Sequence, residues 1–152
     1  MTARTWRGIG SVVAMWAAAI TIARLLAPRL DRGDESSSEI RRAVVAGELR
    51  LPDLGPHVRR VHVVLAMAGA EIGWPRTDSA DGSTSRDVTV HAKMAGLKVT
   101  VPAGTTVWWR SRGPGGVSLA RQSTLTRVSS PDDAELRVDA VLVFAGVSIV
   151  SA

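Results

Sequence analysis

A phrase that repeats along the chain constrains its fold more than any other feature. Leu65-Ala66-Met67-Ala68-Gly69-Ala70-Glu71-Ile72 returns as Ala92-Lys93-Met94-Ala95-Gly96-Leu97-Lys98-Val99. It returns again as Leu142-Val143-Phe144-Ala145-Gly146-Val147-Ser148-Ile149. A shorter form, Gly115-Gly116-Val117-Ser118-Leu119, lies between them, and Val44-Val45-Ala46-Gly47-Glu48-Leu49 is an imperfect earlier copy. In that copy Glu48 is expected to fill the slot of Ala70, Leu97 and Val147. Repetition on this scale predicts stacked units, each burying its apolar face with its neighbours.

The apolar positions change parity across each phrase. Val61, Val63, Leu65 and Met67 are odd, whereas Ala70, Ile72 and Trp74 are even. Val88, Val90, Ala92 and Met94 give way to Leu97, Val99 and Val101. Leu136, Val138, Ala140, Leu142 and Phe144 give way to Val147 and Ile149. Side chains alternate faces along a strand, so a parity switch demands a bulge or a bend. Glycine takes the positive φ of such a bend with no Cβ penalty, which makes Gly69, Gly96, Gly116 and Gly146 the predicted structural corners. Each phrase is then a strand, a corner and a second strand. The expected fold class is all-β, a β-solenoid of the parallel β-helix type. The alternative is an antiparallel β-sandwich, because short connections such as Pro102-Ala103-Gly104 also allow direct reversal.

Ahead of the repeats, residues 8–23 are uncharged and largely apolar; Arg24 interrupts the run, Leu25-Leu26-Ala27 extend it and Pro28 ends it. This predicts an N-terminal hydrophobic helix over residues 1–30 that anchors the chain in a membrane as a single pass. Trp6 and Arg7 would sit at one interface, Arg29 and Arg32 at the other. A cleaved signal peptide and a soluble or interfacial helix are the alternatives. More arginines follow the run than precede it, which places the C-terminal domain on the cytoplasmic side. Residues 31–39, with Ser36-Ser37-Ser38, read as a polar tether, and residues 40–152 as the β-repeat domain.

The chemistry the chain can carry is narrow. It has no cysteine, which excludes disulfides and thiolate metal sites. A net charge of +5 permits contact with anionic lipid or nucleic acid. No nucleic-acid-binding module accompanies that charge, so nucleic acid is not an expected partner. His57, His62 and His91 show no metal-ligand spacing, and no metal or other cofactor is expected. Residues 113–116 lack the lysine and helix of a phosphate loop. Glu71, Asp87 and Asp139 are strand carboxylates with nothing to set a catalytic separation, so the chain is expected not to be an enzyme. Val107-Trp108-Trp109-Arg110-Ser111-Arg112 is different, because only one of its two tryptophans can face a core. Trp108, Trp109, Arg110 and Arg112 are therefore the candidate contact for a partner or a lipid headgroup. The final Ser148-Ile149-Val150-Ser151-Ala152 strand is expected to end the stack as an open edge, through which copies could self-associate.

These phrases resemble the C-terminal domain of LiaF-like proteins, the cell-wall-active antibiotics response family. The match runs through Met67-Ala68-Gly69-Ala70-Glu71-Ile72 and Phe144-Ala145-Gly146-Val147-Ser148-Ile149. Met94-Ala95-Gly96-Leu97-Lys98-Val99-Thr100-Val101-Pro102-Ala103-Gly104 adds the family's Pro-x-Gly turn. The resemblance covers residues 44–152. Where the family has a glycine pair this chain has Ala-Gly, and at most one helix stands for its four-helix membrane portion. The resemblance implies a non-enzymatic, membrane-associated modulator of envelope-stress signalling with a sensor kinase as partner, and it brings no catalytic residue. A secreted or surface adhesive module and a polysaccharide-active enzyme are the competing functions.

Overall fold

The structure, a computed structural model, describes residues 31–33, 37–74, 85–121 and 123–152. The expected membrane helix over residues 1–30 lies outside the described residues. Among the described residues no helix is long and apolar enough to cross a membrane.

Among the described residues eleven strands follow one another: β1 (Glu39–Val45), β2 (Glu48–Leu51), β3 (Arg60–Ala66), β4 (Gly69–Gly73), β5 (Arg86–Lys93), β6 (Gly96–Val101), β7 (Thr106–Arg112), β8 (Gly116–Leu119), β9 (Thr126–Arg127), β10 (Leu136–Val143) and β11 (Gly146–Ser151). One sheet has the order β1-β3-β5-β10-β7-β9 and the other β2-β4-β6-β11-β8. All pairings between these strands are parallel, which sets aside the antiparallel sandwich. Each phrase is an arch, one strand in the first sheet and the next in the second. The parity switch explains why both sheets can face one core. Val61, Val63, Leu65, Val88, Val90 and Ala92 are buried from one side, and Ala70, Ile72, Leu97, Val99 and Val101 from the other. Trp74 closes that core near the end of β4, its indole N–H donating to the Val58 carbonyl at 3.2 Å.

The arches do not stack in sequence order. The last one, β10–β11, lies between the third and the fourth. The β6–β7 turn therefore skips a rung. It is a tight turn in which Thr105 N donates to Pro102 O at 3.3 Å and Gly104 has φ +85°. The vacated rung is filled from the far end of the chain. β10 pairs with β5 and β7 on its two sides, and β11 with β6 and β8. The C-terminal strand is thus internal to its sheet, and the reason given above for self-association through it falls away. β1 and β2 lie at one end of the stack, β9 and β8 at the other.

The corner geometry also departs from expectation. The left-handed residue in four arches is the first one after the incoming strand: Ala46, Met67, Met94 and Phe144, with φ between 48° and 51°. In the fourth arch Gly113 holds it, and the turn is one residue longer. Gly69, Gly96, Gly116 and Gly146 have no positive φ. Non-glycine residues tolerate the left-handed step because both sides of the corner are hydrogen-bonded to neighbouring arches. Met94 N donates to Val143 O at 2.9 Å, and Gly96 N to Ala68 O at 3.1 Å. The step swings the side chain off the inward face. Met94 and Phe144, expected in the core, are 56% and 76% exposed. The register further places Glu48 opposite Gly69 and Leu49 opposite Ala70, so Leu49 takes the slot expected for Glu48.

Part of the stretch expected as a tether is fixed to the sheet. Arg32 forms an antiparallel bridge with Arg41, and Asp31 Oδ1 accepts from Ala43 N at 2.9 Å.

Candidate functional site

The outward face of the six-stranded sheet carries two rows of side chains where its strands begin. Cα register aligns Arg60, Asp87, Arg137 and Trp108 in one row, and His62, Thr89, Asp139 and Arg110 two residues further on. They line a shallow groove of about 580 Å³, with Pro131 of the preceding loop as a wall. That wall is tied to the sheet, since Arg137 Nε donates to Pro131 O at 2.6 Å. Alternation along each strand makes the groove possible, because every second residue here is free of core duty.

Charges in the groove alternate across the strands. Asp87 sits between two guanidinium groups, 3.9 Å from Arg60 Nε and 3.9 Å from Arg137 Nη1. These separations are longer than a hydrogen bond, so N–H donors on Arg60 stay directed at solvent. Asp139 pairs with Arg110, whose guanidinium is raised above its ordinary value by that hydrogen bond and by the carboxylate charge. His62 Nε2 lies 3.6 Å from Glu39 Oε1. Glu39 in turn is held below the usual carboxylate range, chiefly by a hydrogen bond from Arg41. Three arginines thus face two aspartates across the groove, with an aromatic ring at one end.

The four candidate contact residues separate. Trp108 points outward into the groove beside Arg110. Trp109 points the other way, packs against the core and is covered by Arg127, whose guanidinium carbon lies 4.0 Å from the ring centroid. Such a cation–π contact is worth roughly 0.5–2 kcal/mol. Arg112, at the end of β7, is exposed and stands apart from the groove. The groove adds Arg60, Asp87, Arg137 and Asp139, all four on strands other than β7. Strand alternation marks these residues as outward, but only the register aligns them.

No family model, curated protein or solved structure matches the chain.

Asp87 and Asp139 do share the groove, whereas Glu71 lies on the opposite sheet with Lys98 Nζ at 2.8 Å. His62 and His91 are outward on neighbouring strands, and His57 is in a loop. Among the described residues no three histidine or carboxylate side chains gather as metal ligands would. The corner glycines form a column, Gly69-Gly96-Gly146-Gly116, across the second sheet. With no side chains there, the column is the floor of a shallow furrow beside Glu71 and Lys98.

Proposed function

We propose that this chain is a non-enzymatic binding module, a solenoid with one displaced rung, tethered to a membrane by the residues ahead of Asp31. Its ligand is an acidic segment of a partner protein, which lies in the groove of Arg60, Arg137, Trp108 and Arg110. One observation carries this reading: residues far apart in sequence converge to give one groove the tryptophan and arginines that dominate protein interfaces. Arginine forks suit carboxylates, and Trp108 supplies apolar area at little entropic cost. The resemblance to LiaF-like proteins adds a partner class, a sensor kinase of envelope-stress signalling.

An enzymatic role draws less support. A hydrolase with paired carboxylates needs one to give or take a proton and the other to stay available to the substrate. Here Asp139 is held by Arg110 and Asp87 lies between two arginines.

A photocrosslinking residue at position 108 in the full chain, expressed in cells, is the test. The expected result is an adduct with one protein that disappears in Arg60→Glu and Arg137→Glu variants. A residue at position 50, on the opposite sheet, should give none. An absent adduct, together with binding of the purified chain to anionic polysaccharide through Trp108, would favour the adhesive alternative.

A further inference from the structure

Five strands of the six-stranded sheet, β1, β3, β5, β7 and β10, end at the corners, away from the groove. The turns stack there in a single file, Ala46-Met67-Met94-Phe144-Pro114, joined by hydrogen bonds from one turn to the next arch. Among the described residues the exposed large hydrophobics are Val64, Met94 and Phe144, at 48%, 56% and 76%, and all three lie on this half of the molecule. Phe144 is the only phenylalanine of the chain. Apolar side chains displayed in a group like this mark an interaction site.

The charge around the ridge has one predominant sign. Lys93 and Arg112 are the last residues of β5 and β7, both exposed, and neither takes part in an ion pair among the described residues. Glu39, Asp87 and Asp139 belong to the strand beginnings or the groove. Glu48, the acidic residue at the first corner, is paired with Arg50. The entry of the chain points the same way. Asp31 contacts Ala43 on the corner half of β1, and the backbone runs from there back to Gly33, beside Glu39. The first described residue, Asp31, therefore lies at the ridge end of β1.

We infer that the ridge docks on an anionic lipid bilayer. Phe144 and Met94 enter the boundary between headgroups and acyl chains, and Lys93 and Arg112 meet the lipid phosphates. A bilayer fits this shape better than a second protein does. Five turns at a spacing of about 4.8 Å give a file about 19 Å long. That is narrow for the roughly 800 Å² that each partner contributes to a stable protein interface. The ridge lies at the other end of the strands from the groove, so the two readings stand or fall separately.

The chain has no cysteine, so single labels can be placed in the full chain through Phe144→Cys, Met94→Cys and, as a control beyond the groove, Asp133→Cys. An environment-sensitive fluorophore is read in vesicles with brominated acyl chains, either zwitterionic or containing phosphatidylglycerol. The expected result is quenching at 144 and 94 in the anionic vesicles and none at 133. Lys93→Ala and Arg112→Ala should each lower the docked-to-undocked ratio by roughly fivefold. Circular dichroism confirms that each variant keeps its strands. Labels at 144 and 94 that stay as unquenched as 133 would overturn the inference, as would a chain that remains off anionic vesicles altogether. Emission at 144 that shifts with protein concentration in the absence of lipid would also overturn it, in favour of a second copy of the chain.

Discussion

The corner of the third arch offers a sharp test, because sequence and structure assign its strain to different residues. The repeated Ala-Gly step points to Gly96 as the residue that needs conformational freedom. The backbone instead places the left-handed step at Met94, with φ +51°, and leaves Gly96 outside that region. A Cβ built on Gly96 meets nothing within 4 Å. Gly96→Ala should therefore raise stability by about 0.4–1 kcal/mol, through the lower entropy of the unfolded chain. For a domain of this length that is a rise in Tm of roughly 1–4 °C. Met94→Gly relieves a left-handed residue, worth about 1–2 kcal/mol, but adds unfolded-state entropy of about 0.5–1 kcal/mol. The net is a gain of between zero and about 1.5 kcal/mol. Gly73→Ala is the contrast, since a Cβ there would lie 2.4 Å from the Pro52 carbonyl oxygen. It should cost about 1–3 kcal/mol. Urea unfolding of the full chain and its three variants, in one detergent, reads all of these. A loss of stability in Gly96→Ala with no gain in Met94→Gly would put the strained step back at the glycine and refute the reasoning.

Other expectations follow from the packing and the ion pairs. Ile149, fully buried on the displaced arch between Val99 and Leu119, should cost about 2–5 kcal/mol when replaced by alanine. Val64→Ala, on the exposed face, should stay within about 0.5 kcal/mol, and equal urea midpoints for the two would argue against the intercalated order. Trp74→Phe leaves the Val58 carbonyl without its buried donor and should lower stability by about 1–3 kcal/mol, read from the thermal midpoint. Glu71 is held below the ordinary glutamate value, first by the hydrogen bond from Lys98 and then by its charge. A lowered folded value gives stabilisation that is present at neutral pH and fades as pH falls through that value. Glu71→Gln should flatten that limb of a plot of urea midpoint against pH, and an unchanged slope would mean that the pair contributes nothing.

Sequence alone determined the strand-corner-strand units and, along the strands though not at the corners, which residues face in. Parity is a local property, set by side-chain alternation, and Val61, Val88, Leu97 and Ile149 all lie where their spacing puts them. It also required one tryptophan of the pair Trp108-Trp109 to leave the core, and the structure turns Trp108 outward and packs Trp109 against the core. Three things needed the tertiary structure. The left-handed step at Met94 and Phe144 depends on hydrogen bonds from neighbouring arches, and glycine's intrinsic freedom pointed to the wrong residue. The groove depends on register, which brings Arg60, Asp87 and Arg137 into line with Trp108 across strands far apart in the chain. The order of the arches was the least legible. The arches share one inward pattern, and all but the fourth share one corner, so the repeated pattern does not by itself order them. The choice falls to the connections: a tight turn at Pro102 that skips a rung, and the stretch of residues 120–135 that lets the last arch return to fill it.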